Sequence, residues 1–293
     1  MTKLASRNQR VAEKLREAAD ILQAQKANPF RIRAYRRAAD HVADLDVDVA
    51  DILAGRGLEG VQALPGIGPG IAAAINELVR TGRWAQLERL RGTLDPERLF
   101  QSVPGVGPAL ARRIHERLEL DTLEALEAAA HDGRLDSVPG IGGRRVAMIR
   151  AQLASLLGRR KSAVTGEPSV ATLLEVDADY RRRAEGGRLP KIAPHRFNPT
   201  REAWLPILHT ERDEWRFTAM FSNTALAHQL DRTRDWVVIY FHTDTEPEGQ
   251  RTIVTETRGP LAGRRVVRGR EAECEAYHAS QGRPGRREER RLG

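Results

Sequence analysis

One short cassette occurs three times in the first half of the chain: an aliphatic residue, Pro-Gly, Ile or Val, Gly, and then a run with helical apolar spacing. The copies are Leu64-Pro65-Gly66-Ile67-Gly68, Val103-Pro104-Gly105-Val106-Gly107 and Val138-Pro139-Gly140-Ile141-Gly142, starting 39 and 35 residues apart. Two glycines around one buried aliphatic residue suit a hairpin between two short helices, because glycine takes backbone angles that a Cβ resists. The glycines also leave backbone N–H groups uncovered at the start of the next helix. There, unpaired donors and the helix dipole make an anion site. Pro69 and Pro108 suit the first helical position, where a missing N–H costs nothing. Such a hairpin grips backbone phosphate without reading bases.

Composition agrees with a polyanionic partner. The 293 residues carry 48 Lys+Arg against 40 Asp+Glu, a formal charge of +8. Charge alone supports only nonspecific attraction. Aromatics are 5% of the chain, too few for extended base-stacking platforms. The single cysteine, Cys274, excludes an internal disulfide framework and any multi-cysteine zinc site. It fits a cytoplasmic, nucleoid-associated location. No apolar run is long enough to span a bilayer, and the charged amino terminus does not read as a signal peptide.

Val11, Leu15, Ala18, Ala19 and Leu22 predict an amphipathic helix over 8–24. Asn28-Pro29-Phe30 breaks it, a second helix runs to about His41, and a third covers Val47 to Leu53. The first hairpin helix runs to Thr81, with Gly82 as cap. Two further hairpin units fill 84–157. Asp121-Thr122-Leu123-Glu124 starts a helix within them and His131-Asp132-Gly133-Arg134 stops it. The expected fold is therefore multi-domain: an all-α half with three hairpins and a smaller α+β domain. The divisions are 1–83, 84–160, a linker at 161–168, 169–279, and a basic disordered tail at 280–293.

The order of pieces over residues 8–157 resembles the amino-terminal helix-hairpin-helix region of family X DNA polymerases, especially the bacterial form. The resemblance rests on Asn28-Pro29-Phe30-Arg31-Ile32-Arg33-Ala34-Tyr35-Arg36-Arg37-Ala38-Ala39, on Leu64 to Ile75, on Thr81-Gly82-Arg83, and on the second and third hairpins. It implies that the first hairpin holds the downstream side of a DNA gap and the second the primer strand. It also implies a monovalent cation at a hairpin and, in some members, a lysine that attacks deoxyribose phosphate as a Schiff base. That lysine's position is Ala74 here, and a neighbouring family lysine falls at Gly70. An amine is chemically necessary for the step, so no such lyase activity is expected. Nor does a Gly-Ser-x-Arg-Arg-Gly polymerase signature follow Leu157.

The candidate DNA-binding set comprises the glycines Gly66, Gly68, Gly70, Gly105, Gly107, Gly140, Gly142 and Gly143. To these are added Arg112, Arg113, Arg144 and Arg145 on the hairpin helices, and Arg31, Arg33, Arg36 and Arg37 on the second helix. From Arg144 to Lys161 there are six basic residues and no acidic ones. Tyr35 reads as core.

Beyond the linker, Trp215, Phe217, Ala219 and Phe221 alternate with polar residues as in a half-buried strand, and Trp236 to Phe241 reads as a central strand. Trp204 to His209, Thr252 to Thr257 and Arg265 to Val267 are further strands. Asp244 to Gly249 is a hairpin loop, and 225–230 and 271–279 are short helices. Asp177 and Asp179 offer two carboxylates that suit Mg²⁺ on a strand, but before Tyr180-Arg181-Arg182-Arg183 they read as the acidic first turn of a basic helix. The segment Phe221 to His228 faintly resembles a palm segment near the nucleotide site. His195, His209, His228 and His242 have no metal-ligand spacing.

Three functions fit. The first is a non-enzymatic DNA-binding protein for gapped, nicked or branched DNA in repair or recombination, presenting its second domain to repair proteins. The second is a metal-dependent nuclease or nucleotidyltransferase with its site in 169–279. The third is an RNA-binding protein with the same backbone grip.

Overall fold

The computed structural model describes residues 4–157, 166–243 and 248–281. Residues 282–293 of the tail expected at 280–293, the basic stretch 158–165 and the loop residues 244–247 lie outside them, while 280 and 281 belong to a helix. The helical half opens with α1 (Leu4–Ala24), whose stripe from Val11 to Leu22 is buried against α2 (Pro29–Ala43). Asn28 caps α2 by accepting from the Phe30 N–H at 2.7 Å, and Pro29 takes the first turn.

The third helix, expected to end at Leu53, instead continues as α3 (Val49–Gln62) through a break at Gly57, where φ is +62°. Gly55, Gly57 and Gly60 blur its apolar period, which is why its far end was not legible. The first hairpin leads into α4 (Pro69–Thr81), stopped by Gly82 in the left-handed region. Then come α5 (Ala85–Arg91), α6 (Pro96–Phe100), α7 (Pro108–Leu118), α8 (Leu123–His131), a 3-10 turn over Arg134–Ser137, and α9 (Gly143–Leu156). Thr122 caps α8 as expected, accepting from the Ala125 N–H at 3.0 Å.

The second half is a six-stranded antiparallel sheet in chain order, flanked by helices. It begins with α10 (Val170–Glu185). The strands are β1 (Lys191–Ile192), β2 (Leu205–Arg212), β3 (Trp215–Phe221), β4 (Val237–His242), β5 (Gly249–Thr255) and β6 (Arg265–Val267). The short helix α11 (Ala225–Gln229) joins β3 to β4, and α12 (Glu271–Gln281) follows β6. Ala219 faces Ile239 across β3–β4, and Ile239 faces Arg251 across β4–β5. The apolar run of β4 is buried on both faces, as its composition required.

One face lies under α10, where the Tyr180 ring meets Phe221 edge-on at 4.9 Å and its hydroxyl donates to Pro206 O. The other face lies against the helical half. Arg89 of α5 sits 3.5 Å above the Tyr240 ring, and Gln250 receives the Asp121 N–H while donating to Glu119 O at 2.7 Å. The cores accordingly do not follow chain order. One joins α1 to α4, Leu87 and Leu90 of α5, α10 and most of the sheet. The other is built within residues 85–157 from α6, α7, α8 and α9.

Candidate nucleic-acid interface

Each cassette folds into the same turn. The fourth residue donates its N–H to the carbonyl of the first: Ile67 to Leu64 at 3.2 Å, Val106 to Val103 at 3.0 Å, Ile141 to Val138 at 3.1 Å. Proline occupies the second position and a glycine with positive φ the third, at +74° for Gly66, +86° for Gly105 and +85° for Gly140. This is a type II turn, which demands that pairing. The middle aliphatic residue is buried in every copy, anchoring the loop from below.

The last glycine then caps the helix with extended angles: φ/ψ of −78°/173° at Gly68, −80°/173° at Gly107 and −109°/168° at Gly142. A glycine cap has no side chain to bond these helix starts. All three caps are exposed, so first-turn N–H groups face solvent. Gly70 and Gly143 are exposed beside them.

The second and third hairpins are related by a swap. The residue six positions after each cap covers the turn glycine of the other: a Cβ on Gly105 would lie 2.4 Å from Met148 Cε, and one on Gly140 would lie 2.9 Å from Arg113 Nη1. Arg113 donates to Pro139 O at 2.8 Å and Arg145 to Gly140 O at 2.6 Å. The Pro139 and Gly140 carbonyls of the third hairpin are thus already held by guanidinium groups. Arg112 reaches Glu97 at 3.6 Å, and Arg144 is exposed with no ion-pair partner among the described residues.

The first hairpin has no such twin. Nothing lies within 4 Å of a Cβ built on Gly66. The corresponding residue, Ala74, is buried beside a small cavity walled by Tyr35, Gly70, Glu77, Glu124, His242 and Glu248, with no lysine or arginine among its described residues. Burial first, then the neighbouring Glu124 charge, raises the Glu77 carboxyl well above its usual range.

The arginines of α2 divide. Arg33, Arg36 and Arg37 are exposed, Arg36 pairing with Asp20 at 3.0 Å. Arg31 turns toward the sheet, its Nη2 buried with no hydrogen-bond partner among the described residues. Burial chiefly, aided by the Arg31 charge, pushes the imidazole of His209 down to about 3. Tyr35 is core, hydrogen-bonded to Gln86 and tilted against Trp84. Phe30, which the sequence marked only as part of a helix break, is 73% exposed with Arg33 over its ring at 4.5 Å.

Asp177 and Asp179 lie neither on a strand nor in a first turn, but in the middle of α10. Both are buried in ion pairs: Asp177 with Arg265 at 2.6 Å, and Asp179 with Arg182, Arg183 and Arg212. Carboxylates so committed are poor metal ligands. His209 lies within electrostatic reach of the buried His242, but no group of three metal-capable side chains occurs among the described residues. Nor does any described helix have the length and apolarity to cross a membrane.

Two family models match the chain, one described as a helix-hairpin-helix domain over residues 6–84 and one as a SAM-like helix-hairpin-helix tandem over residues 97–155. No curated protein matches it. The first match contains the isolated hairpin, and the second contains the pair that cap each other. The helix-hairpin-helix domains mark the N-terminal half as DNA-binding in the general sense.

Proposed function

We propose that this protein docks without sequence preference on gapped, nicked or branched DNA in repair or recombination, and performs no chemistry of its own. The observation that carries the reading is the turn itself, built three times with the same angles, an exposed glycine cap and a buried anchor. Three hairpins split between two supports offer two separate grips, and a discontinuous duplex presents backbone to both. The likeness to family X polymerases supports a gap, with the first hairpin on its downstream side.

Arg33, Arg36, Arg37, Arg112 and Arg144 supply the surrounding positive field, and exposed Phe30 offers a face to an unstacked base at the gap edge. Where a lyase amine would stand, Ala74 borders an acid-walled cavity, which argues against Schiff-base chemistry. The sheet domain is the part assigned to repair partners. A monovalent cation would meet no covering side chain at the first turn glycine, Met148 at the second, and Arg113 and Arg145 at the third.

The test is incubation of the full chain with gapped, nicked, branched and intact duplexes, with and without Mg²⁺, Mn²⁺ and nucleotides. Three hairpins neutralising roughly four phosphates give a log–log salt slope near about −3.6, or about 100-fold weaker binding between 50 and 200 mM salt. Salt-insensitive binding, preference for A-form RNA, or metal-dependent cleavage or extension overturns the proposal.

A further inference from the structure

Between α5 and the sheet lies a cavity of about 70 Å³ that the hairpins do not use. Arg89, Arg196, Asp121 and Tyr240 line it, together with the Ser222–Thr224 stretch. The Arg89 side chain is only 2% exposed. Its plane stacks on Tyr240, and one nitrogen, Nη2, holds both oxygens of Glu248 at 2.7 and 2.6 Å. Stacking satisfies a guanidinium's face but not its edge.

Nη1 and Nε, whose N–H groups point to different sides of the guanidinium, are both buried with no hydrogen-bond partner among the described residues. Arg196, which lines the same cavity, repeats the pattern: Nη2 holds Glu97 at 3.1 Å, while Nη1 is buried with no partner among the described residues. The wall carboxylate Asp121 is already engaged by the Tyr240 hydroxyl at 2.6 Å. Two arginines that line one cavity thus each keep a buried donor unmet while another nitrogen is held by a carboxylate.

Leaving such donors unmet costs more than a hydrogen bond returns, so an acceptor-rich occupant is called for. Guanidinium donors accept nothing in return, which favours an oxyanion over water. The volume exceeds what one water needs. We propose that this cavity binds a small phosphate oxyanion, either inorganic phosphate or the phosphoryl end of a nucleotide, on the unmet donors of Arg89 and Arg196. The site is separate from the hairpins, so it stands or falls independently of the DNA grip. Because its walls come from both halves, an occupant ties the sheet to the helices.

Thermal unfolding of the full chain is followed while potassium phosphate replaces chloride at constant ionic strength, with parallel titrations of AMP and of sulfate. The expected result is a saturable rise of several degrees in Tm with phosphate. Arg196→Met, at a partly exposed side chain, should fold and raise the half-saturating concentration at least tenfold. Arg89→Lys, which keeps the charge beside Glu248 but loses the planar edge, should do the same. AMP saturating well below phosphate identifies a nucleotide phosphoryl group as the occupant, and equal midpoints identify the free ion. No saturable rise with phosphate or AMP, or a rise that Arg196→Met leaves unchanged, overturns the proposal.

Discussion

The first hairpin and the tandem pair share a turn but not a support. In the pair, each turn glycine is covered by the other's helix, through Met148 and Arg113, and the two hairpins share a core of their own. The first hairpin has an uncovered turn, and its core runs on into the sheet. Turn geometry is thus a local property that sequence chemistry imposes anywhere. What a hairpin leans on is decided by distant partners.

The sharpest way to break this comparison is at the junction. Gly92 has φ of +77°, and a Cβ there would lie 2.6 Å from Ala193 O, which is backbone and cannot swing away. Gly92→Val combines left-handed strain with overpacking and should cost about 3 kcal/mol or more. All four tryptophans, at 84, 204, 215 and 236, lie outside the tandem core. Tryptophan fluorescence should therefore show a lower urea midpoint than far-UV circular dichroism in the variant. Coincident shifts would mean the two cores unfold as one.

The junction is also polar in a way the tandem core is not. Burial, with some help from Asp121, lifts the Glu119 carboxyl from 4.5 to about 7 against the opposing pull of Arg268. A folded value above the unfolded one gives stability that is full below pH 4.5 and lost as pH rises through 7. The shift corresponds to about 3 kcal/mol. Glu119→Gln removes that loss, so its stability relative to the parent should rise by about this amount between pH 4 and pH 8. A pH-independent difference, read from urea midpoints, would show that Glu119 ionises freely.

The turns give the next largest effect. Valine at Gly66, Gly105 or Gly140 meets left-handed strain of about 1–3 kcal/mol at every site. At Gly105 and Gly140 it must also displace Met148 or Arg113. Denaturation midpoints should therefore fall further for the paired turns than for Gly66→Val, while all three variants weaken DNA binding. Variants that bind like the parent would reduce the cassettes to packing motifs.

This division follows what was readable in the chain. Pro-Gly followed by an aliphatic residue and glycine specifies its turn within five residues, so three hairpins, the Thr122 cap and the Gly82 stop were legible. The alternation in β3 and the apolar run of β4 were legible for the same reason. The fate of Asp177 was not, because its partner Arg265 lies 88 residues away. Arg31 shared its motif with Arg33 and Arg36, and only the sheet packed beside it sets it apart. No periodicity announces that α5 would lay a buried arginine on Tyr240.

The smallest expected effect separates grip from scaffold within the tandem pair. Arg144 is exposed and free of ion pairs among the described residues, whereas Arg113 bonds Pro139 O and shields Gly140. If Arg144 meets phosphate, Arg144→Ala removes one released counterion, changes the salt slope by about 0.9 and leaves the melting temperature in place. Arg113→Ala should do the reverse, lowering stability by about 1 kcal/mol through the lost turn contact while moving the salt slope less. Salt-dependent fluorescence anisotropy and thermal melts on the two variants read both quantities. Equal changes in slope would mean that the guanidinium over the third turn reaches DNA as well, and that covering a neighbour's glycine and holding its ligand are one task.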